Sequence, residues 1–337
     1  MYIIPAALLM IASCGGNPSL TINGKTDGEA ENVIILSGKD TLATVPVVDG
    51  AFTASVPVEK PGFLYIMEGG RRAGAVVAEA GTVDFEKAGT NYTISGTSMN
   101  DIYNAYRVES AKISDEYYST EDPALQEAAE KKMEQLDNDF FENNVSNWLG
   151  VYALSSLQYG MTGEELEEAL ARLDPKFAED NTYIKLKEKA EILKKTAVGM
   201  PYIEIALPSP DGEEIKLSDV IAANKYVLID FWASWCGPCM GEVPFLVQDY
   251  ADYHAKGFEI YGVSLDRTKE AWTGAIESKN LSWIHVSDIK YWECAAAKAY
   301  GVNAIPSNYL VDNNGTIVAV DLRGEALSEK LAELLGE

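Results

Sequence analysis

Residues 226–232 form an apolar run, and three residues later the chain continues with Cys236-Gly237-Pro238-Cys239. The run is nearly unbroken, which is typical of a strand buried on both faces of a mainly parallel sheet. Two cysteines that follow such a strand and open a helix place the first sulfur beside free helix amides, which favour the thiolate. Pro238 falls in the first helical turn, where its missing amide hydrogen costs nothing, and Gly237 leaves the first sulfur accessible. We expect the helix to shield the second sulfur.

This asymmetry is what dithiol exchange requires, because Cys236 can attack a disulfide and Cys239 can then attack the mixed disulfide. The alternative for a lone pair of this spacing is zinc, which needs two further ligands. The remaining candidates, Cys294, His254 and His285, follow no regular spacing. The pattern therefore predicts redox chemistry with no metal and no cofactor other than the Cys236–Cys239 disulfide.

The elements after the motif alternate between strands and helices. A strand is predicted at 258–264, a helix at about 269–278 and a second strand at 283–286. A further helix and a hairpin over 307–320 follow. We therefore expect residues 198–337 to form an α/β domain, a mixed central sheet with flanking helices that ends in an antiparallel pair.

Two other segments precede this domain. Residues 19–97 alternate apolar and polar side chains between glycine-rich turns, which predicts a small antiparallel β-rich domain. Residues 98–197 change to a helical period, and Thr162 with Glu165 has the spacing of a helix capping box. One predicted apolar helical face consists of Leu125, Ala129, Met133, Leu136, Phe140, Val145 and Trp148.

The start of the chain has the features of an export signal. Residues 2–13 are apolar but too few to cross a bilayer as a helix, which takes about 20 residues. They suit the core of a signal peptide over residues 1–13, although the first lysine is Lys25. Ile11-Ala12-Ser13-Cys14 resembles a bacterial lipobox, which implies that Cys14 is lipidated and anchors the protein to a membrane. The alternative is a buried N-terminal strand with a structural cysteine.

The charge balance excludes one class of partner. Lys and Arg number 27 and Asp and Glu number 52, so the net charge is 27 − 52 = −25. Such a chain repels phosphate backbones, and nucleic acid is not an expected partner.

The segment Phe231–Cys239 is similar to thioredoxin, and residues 200–337 resemble the TlpA/ResA-like, AhpC/TSA-related thiol-disulfide oxidoreductases. Residues 19–97 resemble a β-rich domain of unknown function that often precedes such domains in envelope lipoproteins. The resemblance implies that Asp230 is the acidic residue beneath the active site and that Glu242 is the buried glutamate of the ResA-like branch. Burial raises the pKa of such a carboxyl. Either residue could take the proton from the second cysteine.

The same resemblance assigns the substrate-facing surface. Pro306 matches the cis proline of thioredoxin-like sites, so that Ile305 would present its backbone to a substrate chain. Trp235 is expected near the substrate and Trp232 deeper in the protein. The position where thioredoxins place a lysine near the buried aspartate is Gly262.

These features predict a reductase of protein disulfides in the bacterial cell envelope. It would face the periplasm, be lipid-anchored to the inner or outer membrane, act on disulfide-bearing envelope proteins and draw electrons from a membrane thiol relay. The resemblance associates such proteins with cytochrome c maturation. Two alternatives remain, a peroxiredoxin-like antioxidant enzyme and a ligand-binding lipoprotein with an accessory redox domain. Cys294 is interpreted as a packed thiol, with a third redox role as its alternative.

Overall fold

The computed structural model describes residues 18–336, which fold into two compact units. The first contains residues 18–157 and 172–182, and the second contains residues 158–171 and 183–336. The predicted helical segment 98–197 is thus divided between the two units. Within residues 18–336, no helix combines the length and apolar character needed to cross a membrane. The predicted signal peptide and Cys14 lie outside the described residues.

The first unit begins with eight strands in two four-stranded sheets, ordered β4-β1-β7-β8 and β3-β2-β5-β6. The strands are β1 Ser19–Lys25, β2 Asn32–Ser37, β3 Asp40–Pro46, β4 Ala51–Pro57, β5 Phe63–Glu68, β6 Arg71–Val77, β7 Gly81–Ala88 and β8 Asn91–Ser95.

Side-chain alternation explains why these strands form a two-sheet core. Leu20 and Ile22 of β1 and Val33 and Ile35 of β2 are fully buried, and they belong to one apolar cluster that draws on both sheets. The expected antiparallel pairing holds for every pair but one, because β1 and β7 pair in parallel. Parallel neighbours need a long crossover. The second sheet lies in sequence between β1 and β7 and provides it.

Three helices lie wholly within this unit: α1 Ser98–Tyr118, α2 Pro123–Asn144 and α3 Trp148–Leu157. The side chain of the buried Asn100 accepts a hydrogen bond from Val77 N and donates one to the Val77 carbonyl, which connects α1 to β6. The predicted apolar face from Leu125 to Trp148 is not one continuous helix. Asn147 starts a new helix because its side chain accepts a hydrogen bond from Leu149 N at 2.9 Å.

Two helices follow, α4 Gly163–Arg172 and α5 Asn181–Lys195. The predicted capping box is confirmed. Thr162 Oγ1 accepts a hydrogen bond from Glu165 N at 3.2 Å, and Glu165 Oε2 accepts one from Thr162 N at 2.8 Å. These two bonds satisfy amide groups that a helix N-terminus leaves free.

The second unit contains a short hairpin and a five-stranded mixed sheet, ordered β13-β12-β11-β14-β15. Its elements are β9 Ala206–Pro208, β10 Glu214–Lys216, α6 Leu217–Ala223, β11 Tyr226–Trp232, α7 Gly237–Tyr253, β12 Phe258–Ser264, α8 Lys269–Lys279, β13 Ile284–Val286, α9 Ala295–Ala299, β14 Ser307–Asp312, β15 Ile317–Val320 and α10 Glu325–Leu335.

The mixed sheet confirms the fold expected for the C-terminal domain. β11, β12 and β13 run parallel, while β14 pairs antiparallel with β11 and with β15. Residues 227–232 of β11 are all buried, as an apolar run without alternation predicts. β11 is therefore the central strand of the sheet, and the chain continues from its end to the start of α7.

Candidate active site

Cys236 and Cys239 lie at the N-terminus of α7 and are joined by a disulfide, with their Cα atoms 5.2 Å apart. Cys236 is the residue that caps the helix, and its Sγ accepts a hydrogen bond from Cys239 N at 3.1 Å. Pro238 lies in the first turn, where no backbone donor is required of it. In the reduced protein the same amide would stabilise a negative charge on the Cys236 sulfur.

The predicted difference in accessibility between the two cysteines is not present in the disulfide form. Cys236 and Cys239 are each 4% exposed. In this disulfide form the first cysteine is therefore as shielded as the second. Trp235 is 47% exposed and Trp232 is 3% exposed, so the predicted contrast between the two indoles is confirmed.

The peptide bond between Ile305 and Pro306 is cis, as expected. The Ile305 carbonyl oxygen lies 3.5 Å from Cys236 Sγ. Pro306 is buried and Ile305 is half-buried. The backbone just before β14 is therefore in direct contact with the sulfur predicted to attack a substrate.

Asp230 lies in β11 and is 5% exposed. Burial, the largest cause, and the negative charge of Glu242 raise the pKa of its carboxyl, the positive charge of Arg323 lowers it, and the net pKa is about 7. A carboxyl with this pKa can both accept and release a proton near neutral pH. Asp230 pairs in register with Gly262 of β12. Gly262 is the position where the resemblance to thioredoxins places a lysine near the aspartate.

Glu242 is half-buried on α7 and not fully buried as the resemblance implies. Its Oε2 accepts a hydrogen bond from Gly324 N at 2.8 Å. This bond fixes the carboxylate against the segment that connects β15 and α10.

The structure also brings together residues that the sequence reasoning did not select. Trp235 packs against Tyr291 and Trp292, with ring centroids 5.2 and 6.2 Å apart. Arg323 donates a hydrogen bond to the Pro306 carbonyl at 2.6 Å. The adjacent aromatic residues at 291 and 292 were a visible signal for an exposed site, whereas nothing in the sequence near Arg323 points to Pro306.

Cys294 is fully buried and caps α9, in agreement with its interpretation as a packed thiol. Burial raises the pKa of this thiol, so the reactive thiolate is disfavoured. In the described part of the chain, no group of three or more His, Cys, Asp or Glu side chains is placed to hold a metal ion.

Comparisons with known proteins place this geometry in context. Residues 198–320 match the AhpC/TSA family, and residues 20–103 match a domain of unknown function, DUF4369. Thiol-disulfide oxidoreductase ResA of Bacillus cereus (strain ATCC 10987 / NRS 248) is 31% identical over 153 residues, which cover 45% of this chain and 82% of that protein. ResA of Bacillus subtilis (strain 168) is 30% identical over 114 residues, covering 34% of this chain and 61% of that protein. A solved thiol-disulfide oxidoreductase from Bacteroides fragilis NCTC 9343 is 38% identical, covers 40% of this chain and 98% of its own, and gives a TM-score of 0.38.

Proposed function

Because the chain belongs to the ResA-like thiol-disulfide oxidoreductases, we propose that it reduces protein disulfides through the dithiol of Cys236 and Cys239. The observation that carries this proposal is the position of Cys236, which caps α7 and touches the Ile305 carbonyl of the cis-proline loop. The position at the start of α7 favours the thiolate of Cys236. The contact with Ile305 places the sulfur beside a backbone that can pair with an extended substrate.

The reaction takes place in two exchanges. The Cys236 thiolate attacks one sulfur of the substrate disulfide, so that a mixed disulfide forms and the other substrate sulfur leaves as a thiolate and is protonated. Cys239 then loses its proton and attacks Cys236 Sγ. The Cys236–Cys239 bond forms and the second substrate thiol is released. The substrate gains two electrons, which the dithiol loses, and an external thiol donor must restore them.

Asp230 and Glu242 are the proposed proton acceptors for Cys239. With a pKa of about 7, Asp230 is partly ionised at neutral pH and can take this proton during the second exchange. Glu242 acts on the same carboxyl through its charge. Trp235, Gly237 and Pro238 form the exposed surface that a substrate meets beside the disulfide.

The proposed setting is the bacterial envelope. In this proposal residues 1–13 are removed as a signal peptide, lipidated Cys14 anchors the protein with its redox domain toward the periplasm, and a membrane thiol relay supplies electrons. Its substrates are disulfide-bearing envelope proteins, with apocytochrome c as a specific candidate. The Gly-Pro pair between the cysteines matches thioredoxin and supports the reducing direction, which corresponds to a midpoint potential near −270 mV.

The test is electron transfer from the pre-reduced protein to insulin disulfides. Cys236→Ser is expected to abolish the reaction, and Cys239→Ala is expected to accumulate a mixed disulfide that Cys294→Ala does not. In cells, Cys239→Ala should capture envelope substrates that can be identified directly. A midpoint near −120 mV, typical of a strong oxidant, would reverse the proposed direction. Peroxide consumption without disulfide reduction would favour the peroxidase alternative.

A further inference from the structure

Residues 321–324, which connect β15 and α10, are hydrogen-bonded to the strand that follows the cis proline. We call these four residues the connecting segment. Asp321 N donates to Asn308 O at 2.8 Å, and Asp321 Oδ1 accepts from Ser307 Oγ at 2.9 Å. Leu322 N donates to Asn308 Oδ1 at 3.0 Å, and Asn308 Nδ2 donates to Leu322 O at 2.6 Å. The segment is thus fixed to the first two residues of β14.

The next two residues of the segment reach the site itself. Arg323 Nη2 donates to the Pro306 carbonyl at 2.6 Å, and Gly324 N donates to Glu242 Oε2 at 2.8 Å. The Pro306 carbonyl follows directly after the Ile305 carbonyl that contacts Cys236 Sγ at 3.5 Å. Since a hydrogen bond from a charged donor is stronger than a neutral one, Arg323 restrains the loop where it faces the reactive sulfur.

Arg323 also acts on Asp230. Asp230 pairs in register with Asn308 on one side and Gly262 on the other, and Gly262 pairs in turn with His285. The nearest neighbours in this row are an amide and a glycine. Burial lowers the pKa of His285 to about 4, so this histidine is neutral at pH 7. The charges that shift the pKa of Asp230 come from Glu242, which raises it, and Arg323, which lowers it.

We propose that Arg323 is a positioning residue of the exchange reaction, one that holds the Pro306 carbonyl so that Ile305 faces Cys236. This inference rests on the proposed function. An ordinary surface arginine would contribute little, since its side chain is 48% exposed and its contact with Asp321 is 4.0 Å long. The short bond to a main-chain carbonyl in the site distinguishes Arg323 from that case.

The experiment compares Arg323→Gln and Arg323→Lys with the wild type in insulin reduction from pH 5.5 to 9. Lys279→Gln is the matched control because it removes an exposed positive charge at the end of α8. For Arg323→Gln we expect kcat/KM to fall about tenfold or more, the effect of losing a hydrogen bond from a charged donor. We also expect the pH midpoint of the second exchange to rise, because the substitution removes the positive charge that lowers the pKa of Asp230.

Arg323→Lys separates the two effects. Lysine keeps the charge, so the pH midpoint should stay at the wild-type value, but it lacks the planar guanidinium, so kcat/KM should remain below wild type. If Arg323→Gln does not fold, as judged by thermal unfolding, this lysine variant carries the test by the same two measurements. If the wild type is active and the folded variants keep its kcat/KM and pH midpoint, the inference about Arg323 is overturned and the proposed function stands. A wild type that reduces no disulfide overturns the proposed function and this inference with it.

Discussion

Asp230→Asn tests the electrostatics of the site through the stability of the folded protein. Burial raises the pKa of Asp230 from an ordinary 3.8 to about 7. The folded state therefore holds this proton more tightly than the unfolded state does. Stability that depends on the protonated carboxyl is complete below pH 4 and is lost as the pH rises toward 7. Each pKa unit corresponds to about 1.4 kcal/mol, so the loss reaches at most about 4 kcal/mol.

Asparagine is uncharged and of similar size, so the variant does not lose this stability. We expect Asp230→Asn to match the oxidised wild type near pH 4 and to exceed it in free energy of unfolding by up to about 4 kcal/mol at pH 8. Urea denaturation followed by tryptophan fluorescence is the assay, because five of the six tryptophans lie in residues 198–337. Asp211→Asn, at an exposed turn, is the control and should show no such trend. If the difference in free energy of unfolding between Asp230→Asn and wild type does not change with pH, Asp230 does not have the raised pKa on which this expectation depends.

Three further predictions concern residues around this site. Gly262→Ala should lower the free energy of unfolding measured by urea denaturation by about 1–3 kcal/mol, since the added Cβ would lie 2.9 Å from His285 Nδ1. Gly274→Ala, with open space around it, should raise the free energy of unfolding by up to about 1 kcal/mol. His285→Gln should reduce the loss of stability between pH 6.5 and 4, because the wild-type imidazole with a pKa of about 4 stays neutral in the folded protein while the unfolded chain takes up a proton. Cys294→Ala should leave insulin turnover at the wild-type rate because the thiol is buried away from solvent, and a slower turnover would point to a third redox role.

The parts of this protein that could be read from the sequence are those encoded locally. The strand predicted at residues 226–232 has the same bounds in the structure, because a nearly unbroken apolar run is a local signal for a buried strand. The helix start at Cys236 and the capping box of Thr162 and Glu165 have equally local causes. The contrast between Trp232 and Trp235 follows from their positions on either side of the strand end.

The parts that could not be read depend on pairing between distant residues. The parallel pairing of β1 with β7 requires knowing that the chain builds a second sheet before it returns. Gly324 is separated from Glu242 by 82 positions, and Arg323 from Pro306 by 17. No local pattern marks such bonds, because an exposed arginine two residues after Asp321 is an ordinary feature of a loop.

The residues that lie beside Asp230 in the sheet explain why the charges that shift its pKa come from outside the sheet. A side chain at position 262 would place its Cβ 2.9 Å from His285 Nδ1 and 3.2 Å from Trp232 Nε1. A lysine there, as in thioredoxins, would need both rings to move, so the sheet itself has no room for a cation beside Asp230. The pKa of Asp230 is therefore raised mainly by burial, and the charges that adjust it come from Glu242 of α7 and from Arg323 of the connecting segment, which also holds the Pro306 carbonyl.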